Sequence, residues 1–459
     1  MDLTNQNSSQ DVENLFSLQK PELQGMLELD RDLFQKVIKL PAIRIDAKDC
    51  NIFRKKLQNV LLNRPRLKNI VPDPDVNCRT KKIIVLRPGA TLSDDEKAFV
   101  KSRGGLSVNH EMTLGYSYWT SEQILREVLP PEITDVPSGF ETIGHIAHVN
   151  LRDNQLKFKN IIGQVIMDKN SPQIKTVVNK TNTIDDTFRF FKMEVIAGEN
   201  NLQTSIIQNG ITYEFDFSKV YWNSRLQAEH DRLVDSFSSS DVICDMFAGV
   251  GPFAIPAAKK GCFVYANDLN PSSFKALEQN AKINQVADRI KAFNLDGREF
   301  VMQVTENTLK ENNKMFNHVV MNLPATALQF LDVFKGLFSG YEDKFISGST
   351  LINLPSVHCY CFSKDENPMM DAQKQAEKVL GASLEGICKV YHVRNVAPKK
   401  QMMCVSFKLP SSVAFSPLEG IEENKVIKRP MDGETENTPL PKITKCEQEW
   451  KQNKKIISD

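Results

Sequence analysis

Between residues 223 and 410, short apolar runs alternate with segments of helix length, and this alternation restricts the fold more than any other feature of the chain. The runs 242–247, 262–266, 290–293, 318–321 and 350–354 read as five strands bounded by turn residues. The intervening stretches, one of them predicted helical over 271–284, are long enough for crossover helices, so these strands run parallel. A helix predicted over 366–380 leads to two last strands near 387–395 and 402–408. Those two lie too close together for a helix between them. They form a hairpin and add an antiparallel edge strand. Seven strands with crossover helices make a doubly wound α/β sheet.

The 459 residues leave room for one or two domains besides this one. Residues 1–30 are polar and read as a flexible N-terminus. Residues 31–134 mix helical and strand patterns, as in a small α/β domain. The turn-rich stretch 129–139 predicts a boundary, and a β-rich domain follows over 135–222. The run 142–149 reads as one strand. His145 and His148 would point to its opposite faces and could not chelate one metal. Residues 411–459 are polar and read as a disordered tail, in which Lys425, Lys428 and Arg429 are solvated rather than a targeting signal.

Lys and Arg total 58 against 57 for Asp and Glu, so any basic surface for a nucleic acid must be local. One candidate is the concentration Arg54, Lys55, Lys56, Arg64, Arg66, Lys68, Arg79, Lys81 and Lys82, with only Asp73 and Asp75 opposing it nearby. It reads equally as a solvated face or as an RNA-binding patch. No apolar run approaches the length of a membrane span, so no membrane partner is expected. Nine cysteines lack paired spacing, and Cys359-Tyr360-Cys361 has no second pair to complete a zinc site. No metal is expected, and a reducing, intracellular compartment fits best.

The strongest local signal lies between the first strand and first helix of the alternating region. It is Asp245-Met246-Phe247-Ala248-Gly249-Val250-Gly251-Pro252-Phe253. Glycines there let the backbone pass close to a ligand beyond the carboxyl end of a strand. A Gly-x-Gly turn alone also suits a nicotinamide dinucleotide, but three features separate the two. Asp245 stands where a dinucleotide site continues as strand. Pro252 removes an N–H that a pyrophosphate would use. Asp268 and Asp296 end the next two strands. One can accept hydrogen bonds from ribose hydroxyls and the other from an adenine amino group. Any single aspartate reads as a helix cap. Three at consecutive strand ends suit an adenosine ligand without a pyrophosphate.

These motifs, with Ala266-Asn267-Asp268-Leu269-Asn270-Pro271 and Asn322-Leu323-Pro324-Ala325, resemble the archaeal and eukaryotic tRNA (guanine-N1)-methyltransferases, which act on guanosine 37 beside the anticodon. The resemblance extends to the segments 140–151 and 221–230 and covers about 140–410. It implies a class I, Rossmann-like methyltransferase sheet preceded by a β-rich α+β domain and a small N-terminal domain. It implies S-adenosylmethionine as methyl donor, with His230, Asp245, Gly249, Gly251, Asp268, Leu269, Asp296, Gly297 and Asn322 around it. It also implies catalytic roles for Arg189, Glu229 and Asn322, with Tyr221 packed near them. The implied partner is tRNA, bound by 31–134 as a recognition domain, and the implied state is a monomer. Cytoplasm and nucleus are expected. The family's mitochondrial matrix location conflicts with the acidic N-terminus, where Asp2, Asp11, Glu13, Glu22 and Glu28 face Lys20.

The chemistry asks for these residue types. Guanine N1 keeps its proton at neutral pH and is a poor nucleophile until that proton leaves. A carboxylate with a raised pKa can take it, and Glu229 is the candidate. Negative charge then builds on O6, where the Arg189 guanidinium would stabilise it. The Asn322 amide can orient the base edge, and Pro324 stiffens that turn. A surface ion pair for Arg189 and Glu229 and a helix cap for Asn322 are the plainer readings. The rival functions are transfer of the aminocarboxypropyl group of the same cofactor in wybutosine synthesis, and a non-catalytic RNA-binding protein. A nicotinamide-dependent dehydrogenase fits least.

Overall fold

The computed structural model describes residues 12–75, 77–184, 191–310, 315–347, 350–351 and 354–417. The chain divides into two compact units, Met1–Asn182 with Lys192–Asn201, and Thr183–Phe191 with Leu202–Asp459.

The first unit opens with β1 (Lys36–Asp46), α1 (Cys50–Lys56), β2 (Ile70–Pro72), β3 (Lys81–Val85), α2 (Asp94–Ser102), β4 (Leu106–Leu114) and α3 (Ser121–Val128). The four strands form an antiparallel sheet in the order β2-β3-β1-β4. Both later helices start at capping boxes, Ser93 with Glu96 and Thr120 with Gln123. Then follow β5 (Glu141–Ile143), β6 (Ile146–Val149), α4 (Lys159–Lys169), β7 (Thr176–Ile184) and β8 (Phe191–Gly198), whose strands make a second four-stranded sheet. The segment expected as one strand over 142–149 is a tight hairpin. Gly144, at φ 59°, turns it, and His145 sits in the turn with Nε2 3.2 Å from the Asn201 carbonyl.

The break expected near 134/135 does not divide the packing. One apolar core runs from Phe16 and Leu40 through Ile124, Leu129 and Ile133 to Ile162, Val177 and Ile196. Leu129 and Ile133, inside the turn-rich stretch, are themselves buried in it.

The second unit starts with the hairpin β9 (Gln203–Gln208) and β10 (Ile211–Asp216), then α5 (Gln227–Asp235), β11 (Val242–Asp245), α6 (Ala254–Lys260), β12 (Phe263–Asn267), α7 (Pro271–Ile283), β13 (Ile290–Phe293), α8 (Gly297–Lys310) and β14 (His318–Met321). The hairpin belongs here, earlier than the expected start at 223, because α7 and the residue that ends it bind its backbone. Asn284 Oδ1 accepts from the Thr212 amide and Asn280 Oδ1 from the Glu214 amide. A two-residue ladder, β15 (Ile346–Ser347) with β16 (Thr350–Leu351), precedes β17 (Ser356–Ser363), α9 (Pro368–Leu380), β18 (Cys388–Ala397) and β19 (Lys400–Lys408).

The seven-stranded sheet has the order β13-β12-β11-β14-β17-β19-β18. Two expectations are corrected. The fifth sheet strand is Ser356–Ser363, not 350–354; it is buried along nearly its whole length between β14 and β19. The antiparallel strand is also not at the edge. β19 inserts between β17 and β18, and β18 is the edge. The core holds Cys244, Met246, Phe300, Val319, Met321, Val357, Cys359, Cys361 and Met403, so the Cys-x-Cys pair packs as apolar side chains. Among the described residues no helix is long and apolar enough to cross a membrane.

Candidate active site

Parallel strands leave their carboxyl ends at one edge of the sheet, and loops there collect the functional side chains. β11 ends at Asp245 and enters the glycine turn. Gly249 and Gly251 have φ of 56° and 102°, a region where an L side chain is strained. A Cβ on Gly251 would lie 2.7 Å from Ile255 Cδ1 and 2.9 Å from Leu277 Cδ1. Gly249 faces open space, and its amide donates to Asp268 Oδ2 at 2.8 Å. The Asn270 amide donates to Asp268 Oδ1 at 2.9 Å.

Asn267, which sequence reasoning missed, ties three strand ends together. Its Nδ2 donates to the Met246 and Leu295 carbonyls, and its Oδ1 accepts from the Leu295 amide at 2.9 Å. Asn294 Nδ2 donates to the Asp268 and Leu269 carbonyls. An asparagine at the end of an apolar strand is the only signal of this clamp in the sequence.

Asp245 is fully buried, and no donor among the described residues meets full hydrogen-bond geometry at either carboxylate oxygen, although the Phe247 amide is close enough to pull its carboxyl down. Burial, then the charge of Asp268, push its carboxyl up to about 8. Burial pushes Asp268 up to about 6, against the pull of the Asn270 and Gly249 amides. His230, on α5, packs edge-on to Phe253 at 4.7 Å, and its buried Nε2 has no partner among the described residues. Burial lowers its imidazole to about 4, so it is neutral at neutral pH. Asn322 follows the last residue of β14, and its buried Oδ1 is likewise unpartnered among the described residues. Buried polar groups without partners are uncommon and call for an explanation. Here they sit on three elements, two of them adjacent strand ends.

Asp296 differs from the other two acids. It is exposed, accepts from the Arg298 amide at 2.9 Å, and so caps α8. Gly297 beside it is buried, where a Cβ would stand 3.0 Å from the Phe247 ring and 3.3 Å from Phe330. Those rings meet edge-on at 5.0 Å. The Arg298 guanidinium lies 4.3 Å over Phe330 and is held by Asp332. Leu269 exposes 48% of its surface at the same edge of the sheet. Unpartnered acceptors and an aromatic wall fit a ligand with hydroxyl and ammonium donors and a planar ring. S-adenosylmethionine has all three.

Glu229 precedes His230 on α5 and is buried. Arg232 forks its carboxylate, with Nε to Oε2 at 2.7 Å and Nη2 to Oε1 at 2.6 Å, and the Tyr360 hydroxyl donates to Oε1 at 2.7 Å. The carboxylate is therefore ion-paired, as the plainer reading had it, but in a buried position and with Arg232 as its partner. Tyr221 is exposed; its hydroxyl accepts from Asn223 at 3.2 Å. Trp222 stacks on Phe215 at 5.3 Å and anchors this segment. Glu229, His230 and Tyr221 thus come from one stretch of the second unit. Arg189 lies outside the described residues.

In the first unit the basic concentration is partly spent on structure. Lys56 pairs with Asp95, Arg64 with Glu13, and Lys81 with Asp46. Arg64 also covers the Phe16 ring at 4.0 Å, and Arg66 donates to the Tyr118 carbonyl. An open cleft is lined by Arg54, Asn63, Arg64, Lys68 and Asn69.

Comparison with known proteins bears on these features. Residues 204–339 match the TRM5/TYW2 methyltransferase domain, and 121–201 match the TYW2 N-terminal domain. The tRNA (guanine(37)-N(1))-methyltransferase of Xenopus tropicalis is 48% identical over 442 residues, covering 92% of this chain and 86% of its own. That of Danio rerio is 46% identical, covering 93% and 88%. Among solved structures, aTrm5 in complex with tRNALeu superimposes with a TM-score of 0.58 at 23% identity, over 80% of this chain and 99% of its own. Trm5b from Pyrococcus abyssi gives a TM-score of 0.53 at 24% identity over the same shares. The mixed seven-stranded sheet is that of class I methyltransferases, and the chain belongs to the tRNA (guanine(37)-N(1))-methyltransferase family.

Proposed function

We propose that this chain transfers the methyl group of S-adenosylmethionine to N1 of guanosine 37 of tRNA, giving 1-methylguanosine. The observation that carries the reading is the set of buried groups at the strand ends and on α5 that lack partners among the described residues, Asp245, His230 and Asn322, with a carboxylate one residue from the second of them. S-adenosylmethionine supplies an electrophilic methyl on a sulfonium. Asp268 is placed at the second strand end to accept the ribose hydroxyls, and the Gly297, Phe247 and Phe330 wall takes the adenine. Glu229 accepts the N1 proton of guanine, the Asn322 amide orients the base edge, and Tyr221 packs beside it. Arg189, carried over from the family resemblance, stabilises charge on O6. The target base leaves its stack to reach the methyl group.

Such a product next to the anticodon supports reading-frame maintenance and is a first step toward wybutosine in tRNA-Phe. The reading includes action as a monomer, in cytoplasm and nucleus. The TYW2 match over 121–201 favours one rival, aminocarboxypropyl transfer from the same cofactor. Incubation with unmodified tRNA and methyl-labelled cofactor, followed by nucleoside mass spectrometry, separates them. Labelled 1-methylguanosine at position 37 with S-adenosylhomocysteine is the expected result. Methylthioadenosine as by-product supports the rival, and unmodified tRNA contradicts both.

A further inference from the structure

We propose that Arg232 and Tyr360 are positioning residues that aim Oε2 of Glu229, and not Oε1, at the proton of the target base. The proposal rests on the reading of Glu229 as the base. Each carboxylate oxygen has about two lone pairs for hydrogen bonds. Those of Oε1 are both used, by the Tyr360 hydroxyl at 2.7 Å and Arg232 Nη2 at 2.6 Å. Among the described residues Oε2 accepts only from Arg232 Nε, at 2.7 Å, which leaves it one free lone pair.

The arrangement is anchored from three neighbouring strands. Tyr360 is wholly buried on β17. The Arg232 guanidinium lies 3.9 Å from the centre of the Tyr391 ring on β18, and its Nη2 is 3.9 Å from Cys404 Sγ on β19. Lys389 covers the same Tyr391 ring at 4.9 Å. His358 on β17 is the remaining titratable group facing Arg232. Burial lowers His358 to about 3 and raises Tyr360 and Cys404, so these three neighbours are neutral at working pH. Arg232 is then the charged partner of Glu229, and its planar fork fixes the carboxylate plane as an ammonium could not.

The N1–H bond breaks with its electron pair kept on N1, and the proton moves to the free lone pair of Oε2. N1 uses its pair to bond the methyl carbon as the carbon–sulfur pair stays on sulfur. Glu229 ends as a neutral carboxylic acid, still held through Oε1.

The test is single-turnover methylation of tRNA across pH, at saturating cofactor, for Tyr360→Phe, Arg232→Met, Arg232→Lys and Glu229→Gln. Tyr360→Phe keeps the ring and should keep cofactor affinity. Its rate should fall about tenfold, the worth of one hydrogen bond to a charged group, and its acid limb should move to higher pH. Arg232→Met should lose about a hundredfold and move the limb further. Arg232→Lys should return the limb toward the parent without restoring the rate. An acid limb that stays put in both the Phe and Met variants overturns the positioning role. If Arg232→Met fails to fold, Tyr360→Phe decides alone. A parental rate in Glu229→Gln instead overturns the reading of the base.

Discussion

Two adjacent residues of α5 meet opposite conditions. His230 is buried with a ring nitrogen that has no partner among the described residues, whereas Glu229 is buried with three hydrogen bonds to its carboxylate. The contrast extends across the sheet. At the β11 and β14 ends, Asp245 and Asn322 hold polar atoms unpartnered among the described residues; toward β17, β19 and β18 the Glu229 carboxylate and Arg232 are held by partners. An unpartnered buried group is costly unless a ligand completes it. A partnered one is already in its working geometry. The first region is shaped to receive and the second to act.

The largest expected effect is on the receiving side. Asp268→Ala removes the acceptor assigned to the ribose and the partner of the Gly249 amide. Cofactor affinity should fall by roughly 2–4 kcal/mol by calorimetry, the worth of two charge-assisted hydrogen bonds. Unchanged affinity would mean the ribose lies elsewhere.

Gly251→Ala comes next. Its Cβ would meet Ile255 Cδ1 at 2.7 Å in a backbone with φ of 102°. Urea unfolding should show a loss of about 1–3 kcal/mol. Gly249→Ala, with only the φ of 56° and open space around it, should lose less.

The Gly turn is legible in the sequence because its demand on the backbone is local. So are six of the seven strands, whose apolar runs carry their own boundaries. The fifth strand is misplaced from sequence because 350–354 looks more apolar than Ser356–Ser363. The latter is buried only because β14 and β19 cover it. The Glu229 network is invisible for a related reason: Tyr360 lies 131 residues away along the chain, and only the sheet order brings it to α5. The boundary near 134 misleads because turn chemistry at 129–139 marks a change of direction, while Leu129 and Ile133 stay in a shared core.

Protonation gives a smaller effect with a defined sign. The folded value of Asp245, about 8, lies above its ordinary 3.8. Folding therefore favours the protonated form, and that stability is present below about 4 and lost as pH rises through about 8. His230 runs the other way. Its folded value, about 4, lies below 6.5, so its contribution is full above 6.5 and lost as pH falls through about 4. In the absence of cofactor, the thermal midpoint of the parent should drop between about pH 6.5, where the His230 contribution is complete, and about pH 8, and Asp245→Asn should flatten that drop. An identical pH profile in the variant would mean that Asp245 is not the group that titrates.

The smallest expected effect lies in the first unit. Arg64 and Arg66 carry structural contacts, so charge reversal belongs at Arg54, Lys55 and Lys68. Filter binding should show weaker tRNA affinity and a salt slope shallower by about one for each phosphate no longer neutralised. An unchanged slope would leave these residues a solvated face.

The division within α5 is tested most directly by measuring cofactor affinity and single-turnover rate on His230→Ala and Glu229→Gln side by side. His230→Ala should bind S-adenosylmethionine more weakly yet keep its rate once the cofactor saturates. Glu229→Gln should bind it as the parent does and lose roughly 10²–10⁴-fold in rate. If affinity and rate fall together in both variants, the two residues belong to one site, and the separation between receiving and acting groups is wrong.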